Sequence, residues 1–172
     1  MSSSDGSRSA RAAIAVSCLA LVAALVGCGF HLRGDVKYAF SSAYVNAPAA
    51  SPMATELKRT LEGGGTTIAE SAKDAQVTID LANVADSKDV LSLSGGGRVR
   101  EYALAKRATI VVHDSEGRDW LPAAEIVVRR SYSYNESEVL AREAQEAKLY
   151  KEMQTDVVQQ IIRRLQSAKK PE

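Results

Sequence analysis

Residues 98–132 read RVREYALAKRATIVVHDSEGRDWLPAAEIVVRRSY. Thr109-Ile110-Val111-Val112 is β-branched and apolar, and Ala124 to Tyr132 reads as a second extended run. Between them lies Asp114-Ser115-Glu116-Gly117-Arg118-Asp119. Asp and Ser side chains bond their own backbone in turns, and Gly reaches positive φ at no steric cost. The stretch therefore predicts a hairpin. Arg98 to Leu104 extends the same pattern upstream.

Working outward, Leu91-Ser92-Leu93-Ser94 alternates and runs into Gly95-Gly96-Gly97, a second hairpin tip. Val77, Ile79 and Leu81 alternate with Thr78 and Asp80, the period of a half-buried strand. Ala43-Tyr44-Val45-Asn46 is a first strand, ended by Pro48. Ser51-Pro52 opens a helix, with Ser as N-cap and Pro at the first helical position. Met53, Leu57 and Leu61 make its apolar stripe, and Gly63-Gly64-Gly65 stops it. Downstream, Ala147, Tyr150, Met153, Val157, Ile161 and Leu165 form a stripe on a long helix from about 138 to 166. Asn135 and Glu138 have the spacing of a capping box at its start. The order is β-α-β-β-β-α. It predicts the α+β class, with two helices packed on one face of a roughly four-stranded sheet.

The N-terminus reads differently. Residues 1–11 are polar and carry Arg8 and Arg11, and Ala12 to Gly27 contains no charge. That is the layout of a bacterial export signal, and it falls short of the ~20 apolar residues a membrane span needs. It ends in Leu25-Val26-Gly27-Cys28, which resembles the lipobox of bacterial lipoproteins. The expected organisation is a cleaved signal over residues 1–27, a lipidated linker over 28–42, one domain over 43–168 and a tail over 169–172. The resemblance implies acylation of Cys28, and two or more acyl chains anchor stably where one does not. Cys18 leaves with the signal, so no disulfide forms within one mature chain. Gly29, rather than Asp, follows the cysteine and favours the outer membrane.

Composition sets further bounds. The 172 residues are 45% hydrophobic and 25% charged, which suits one globular domain. The formal net charge is +1. Cleavage would remove Arg8, Arg11 and Asp5 and leave the mature chain neutral. A general nucleic-acid binder is disfavoured. His31 and His113 have no His or Cys partner at ligand spacing, so no metal site is expected. Neither a nucleophile elbow nor a phosphate-loop ending occurs, so no catalytic set and no cofactor beyond the lipid on Cys28 are read.

Basic residues cluster locally instead. Arg98 and Arg100 follow a glycine tip, Lys106-Arg107 and Arg129-Arg130 lie on strands, and Arg142 sits in the first turns of the last helix. Guanidinium groups grip phosphate bidentately, as in an anionic lipid. The plainer reading is of solvated strand faces balanced by Glu101 and Glu125.

Cys28-Gly29-Phe30-His31-Leu32-Arg33-Gly34 resembles the start of mature members of the LptE family of LPS-assembly lipoproteins, also called rare lipoprotein B. Glu101-Tyr102, Arg130-Ser131-Tyr132, Lys151-Glu152-Met153 and Gln160 to Leu165 match in order. The resemblance implies a non-enzymatic outer-membrane lipoprotein on the periplasmic side. Its implied partners are an LptD-type β-barrel, which it plugs and helps assemble, and lipopolysaccharide; the membrane is reached through the anchor. It places lipopolysaccharide binding at Arg142 and near the strand tip. There this chain has Gly95-Gly96-Gly97, which shifts the expectation to Arg98 and Arg100. The alternative is a lipid-anchored periplasmic scaffold or activator of a cell-wall synthesis enzyme.

Overall fold

The computed structural model describes residues 38–134 and 139–171. The elements are β1 (Ser42–Asn46), α1 (Pro52–Gly63), β2 (Thr67–Ile68), β3 (Val77–Leu93), β4 (Val99–His113), β5 (Asp119–Ser133) and α2 (Val139–Ser167), with a short 3-10 turn at Ala72–Asp74. The strands form one sheet in the order β2-β1-β3-β4-β5. β1 runs parallel to β2 and β3, and β3, β4 and β5 form an antiparallel meander. The expected class stands. The sheet has five strands rather than about four, because two-residue β2 pairs with β1 and is too short to leave a periodic signal.

Helix α1 forms where its caps demand. Ser51 Oγ accepts from the Ala54 N–H at 3.3 Å, and Pro52 follows at the first helical position. The helix ends in a Schellman motif. Gly65 N–H donates to Glu62 C=O at 2.9 Å and Thr66 N–H to Leu61 C=O at 3.0 Å. Only Gly65 needs the left-handed region, at φ +86°. The two meander hairpins share a design. Ser94 N–H bonds Arg98 C=O and Asp114 N–H bonds Arg118 C=O, with Gly97 and Gly117 at positive φ. Asp114 completes its turn by accepting the N–H groups of Glu116 and Arg118.

The core lies between the helices and one sheet face. Met53, Leu57 and Leu61 of α1 and Met153, Val157, Ile161 and Leu165 of α2 join Val45, Ile79, Leu104, Ile110, Val112 and Ile126. Phe40, within the segment read as linker, is also buried there, stacked on Tyr38 and edge-on to Trp120. Glu56 ties the helices together, accepting from Gln154 and Thr155 at 2.7 Å each.

One irregularity changes what each residue of β3 faces. Leu81 pairs with Ile110 and Ala82 with Thr109, but Ala85 pairs with Arg107. β3 has gained one residue at Asn83, whose φ is 51°. Asn tolerates this conformation better than branched residues do, and its side-chain amide bonds Thr109 Oγ1 at 3.3 Å. Odd positions Val77, Ile79 and Leu81 enter the core. Beyond the bulge the even positions Val84, Asp86 and Lys88 take the helix side. The segments read separately around 77–81 and 91–94 are therefore one long strand with a switch of face.

The proposed capping box at Asn135 and Glu138, and Cys28 itself, lie outside the described residues. Truncating Ile161 to Ala is expected to cost about 2–5 kcal/mol by urea unfolding, the range for a fully buried large aliphatic. Leu91→Ala, at a 55% exposed position, is expected to change stability by no more than about 0.5 kcal/mol. Equal costs at the two positions would contradict the assignment of core and surface.

Candidate functional site at the hairpin tip

β1 pairs with β3 only as far as Asp80. Beyond that point β3 and β4 project as a long hairpin ending in Gly95-Gly96-Gly97. Apolar core gives way there to paired charge and aromatic rings. Lys88 Nζ donates to Glu146 Oε2 on α2 at 2.5 Å, and Tyr132 O–H donates to the same oxygen at 2.6 Å. The ammonium also lies 4.3 Å from the Tyr102 ring centroid, within cation–π range. Tyr102 in turn touches the rings of Tyr132 and Tyr134, with centroids 5.8 and 5.3 Å away. The hydrogen bond to Glu146 raises the Lys88 pKa against a smaller opposing effect of burial. Burial pushes Glu146 up, but its bonds from Lys88 and Tyr132 together outweigh that and hold its carboxyl below the usual value.

A second polar layer sits one step nearer the core. Lys106, almost wholly buried, pairs with Asp86 at 2.6 Å and lies 5.6 Å from the Tyr150 ring centroid. Tyr150 O–H donates to the Ser87 carbonyl at 2.9 Å. These contacts hold the first half of α2 to the hairpin where little apolar surface remains to do so.

Arg98, Arg100 and Arg142 lie at this same end of the sheet. Arg98 closes the tip, its N–H bonded to Ser94 Oγ at 3.2 Å. The Arg100 carbonyl accepts from the Tyr134 N–H at 2.7 Å, and Tyr134 packs on Tyr102. Arg142 lies one helical turn before Glu146 and donates from Nη1 to Gln145 Oε1 at 2.9 Å. A cavity of about 630 Å³ opens beside Ser92, Arg100, Glu101, Ser133 and Tyr134. The hairpin also presents Val90, Leu91 and Leu93 at 52%, 55% and 56% exposure. Large exposed apolar side chains gathered on one hairpin mark a contact surface.

Sequence reading passed over Lys88 and Glu146, whose pairing joins positions 58 residues apart. It also passed over the exposed apolar residues. Alternation at Leu91 and Leu93 predicts an extended run, and the structure leaves both side chains more than half exposed.

His113 sits at the far end of β4, away from the tip. Its Nδ1 lies 3.0 Å from the Asp114 carbonyl and its Nε2 2.9 Å from Asp80 Oδ2. Asn46 Nδ2 donates to the other Asp80 oxygen at 2.6 Å. Both ring nitrogens face acceptors, so only the imidazolium satisfies both as donors. The Asp114 carbonyl raises the pKa most, burial opposes it, and Asp80 adds to the rise. Among the described residues no three His, Cys, Asp or Glu side chains gather as a metal-binding group. No described helix is long and apolar enough to cross a membrane.

A raised folded-state pKa stabilises the fold fully below the ordinary imidazole value of 6.5 and progressively less as pH rises through the elevated value. His113→Gln should therefore lose less stability than the native chain between pH 5.5 and 8.5, read as the shift in urea midpoint. An equal shift in both proteins would remove His113 from that role.

The model of the family described as "LptE: Lipopolysaccharide-assembly" matches residues 38–165. The LPS-assembly lipoprotein LptE of Photorhabdus laumondii is 25% identical over 142 residues, covering 81% of this chain and 77% of that protein. The solution structure of an uncharacterized lipoprotein B from Nitrosomonas europaea superposes with a TM-score of 0.71 at 32% identity, over 81% of this chain and 91% of that one. Rare lipoprotein B of Shewanella oneidensis shares the fold, with a TM-score of 0.65 at 20% identity over 73% and 94% of the two chains.

Proposed function

The chain belongs to the LptE lipopolysaccharide-assembly family, and from that premise we propose that it acts by binding and assembly rather than catalysis. It is an outer-membrane lipoprotein, acylated at Cys28 and held on the periplasmic side. It plugs and helps assemble an LptD-type β-barrel, and it binds lipopolysaccharide during insertion into the outer leaflet. The observation that carries the lipid-binding part is the hairpin tip. Guanidinium groups and three exposed aliphatic side chains share one end of the sheet.

That pairing suits a ligand that is both phosphorylated and acylated. Arg98, Arg100 and Arg142 supply bidentate donors for phosphate. Val90, Leu91 and Leu93 offer apolar contact, and covering the roughly half of each that is exposed is worth about 1 kcal/mol apiece. The charged and aromatic contacts of Lys88, Tyr102, Tyr132 and Glu146 hold α2 beside the tip, so Arg142 and the strand arginines can act on one molecule.

Affinity purification of the tagged chain from solubilised outer membranes should bring down a large β-barrel. Recovery of a peptidoglycan synthase and no barrel would favour the cell-wall scaffold instead. In the purified protein, Arg98, Arg100 and Arg142 changed together to Glu should weaken lipopolysaccharide binding at least about tenfold. A charge-assisted bond is worth about 1.5–3 kcal/mol, and 1.4 kcal/mol is a factor of ten. Unchanged affinity, with an unchanged circular dichroism spectrum, would retire those three positions.

A further inference from the structure

A second surface lies at the opposite edge of the sheet. Among the described residues β5 pairs with β4 alone, so its other side ends the sheet there. The direction of its backbone groups follows from one bond and the register. Tyr134 N–H donates to Arg100 C=O, and this pair continues the register Glu101–Ser133 and Tyr102–Tyr132 without a break. Hydrogen-bonded and non-bonded pairs alternate along an antiparallel ladder. Even residues from Tyr132 back to Ile126 therefore bond to β4. The N–H and C=O of Val127, Arg129 and Ser131 point away from it.

Those outward groups line a groove of about 300 Å³. Its floor is Val127 to Arg130, and its wall is one flank of α2, including Asp156, Gln159 and Arg163. Arg130 and Arg163 lie on the helix side of it with one carboxylate, which Arg130 already engages at 2.5 Å, and Arg129 flanks the same edge from the opposite sheet face. Arg129 and Arg163 have no carboxylate partner among the described residues. The groove therefore offers two kinds of complementarity at once. It has strand backbone for a strand, and unbalanced positive charge for acidic side chains.

We propose that the groove between the open edge of β5 and α2 receives an extended, acidic segment of a protein partner, which adds to the sheet as a sixth strand. Main-chain bonds from Val127 and Arg129 give such a segment its grip. Arg163 selects carboxylates on its helix-facing side and Arg129 on its other side, and the α2 flank fixes its position. Pro122 blunts the first half of β5 as an edge, but no proline interrupts Val127 to Ser131. That the partner is the barrel rests on the function proposed above; the chemistry of the groove does not.

Residue-resolved hydrogen exchange on the full chain, alone and purified with its barrel, tests this. Val127 and Arg129 amides should slow at least tenfold in the complex. Ile126 and Val128, already bonded to β4, should change little. The double variant Arg129→Glu and Arg163→Glu should lose that protection while Trp120 fluorescence is kept. Unchanged exchange at Val127 and Arg129 with the barrel bound overturns the proposal, as does protection that survives in the double variant. Protection that grows with concentration in the isolated chain, with dimers in sedimentation, assigns the edge to a second copy and also overturns it. If no barrel co-purifies, the functional reading fails. The groove is then judged with the peptide Thr-Val-Glu-Val-Glu-Val-Thr. Saturable binding absent from a version with Lys for Glu supports it, and no binding overturns it.

Discussion

The register break at Asn83 is the constraint on which the tip depends. With an unbroken two-residue period, the odd positions of β3 that enter the core at Val77, Ile79 and Leu81 would continue on the helix side. Ala85, Ser87 and Asp89 would then face α2. One added residue instead puts Asp86 and Lys88 there, opposite Lys106 and Glu146. Both ion pairs on that face follow from this single insertion. They matter because α2 begins beyond the apolar core. Its first turns face a sheet that offers tyrosines and charges in place of Leu and Ile.

Partial exposure sets the strength of those contacts. Lys88 and Glu146 keep 36% and 23% of their side-chain surface, so water still screens the pair. Lys106 keeps only 8%, and losing Asp86 would leave an ammonium with little water and mainly a tyrosine ring for company. The arrangement is graded along the hairpin: apolar at Ile110 and Leu81, polar and tightly bonded at Lys106, looser at Lys88, and more than half exposed at Leu91 and Leu93. A hairpin built this way can reach far from its core and still hold one register.

Legibility in the sequence followed periodicity. Helix α1 was readable to its caps because Ser51, Pro52 and Gly65 act locally. The stripe of α2 was readable because Met153, Val157, Ile161 and Leu165 all meet one core. The continuous length of β3 was not readable. Residues 82–90 carry polar groups on both faces and give no two-residue signal. Arg98, Arg100 and Arg142 were visible as residue types, and the structure adds that they occupy one end of the sheet. Lys88 and Glu146 were invisible as a pair, since their meeting depends on the bulge and on where α2 lies.

The two edges of the sheet differ in chemistry, and the two proposed partners match them separately. Past Asp80, β3 is an edge beside exposed aliphatic side chains, whereas β5 is an edge beside arginines and amides. An acylated phosphate matches the first end by chemistry, and an acidic strand matches the second by backbone geometry. The helices cover a single face and leave both edges open, so occupying one edge does not require the other to move. α2 touches both regions, through Glu146 at the tip and Asp156 at the groove, which lie ten residues or about 15 Å apart on one helix. β5 joins them too, running from Val127 at the groove to Tyr132 at the tip, so any coupling between the two sites has two routes, and the buried stripe of α2 from Met153 to Leu165 keeps the helical one fixed on the sheet.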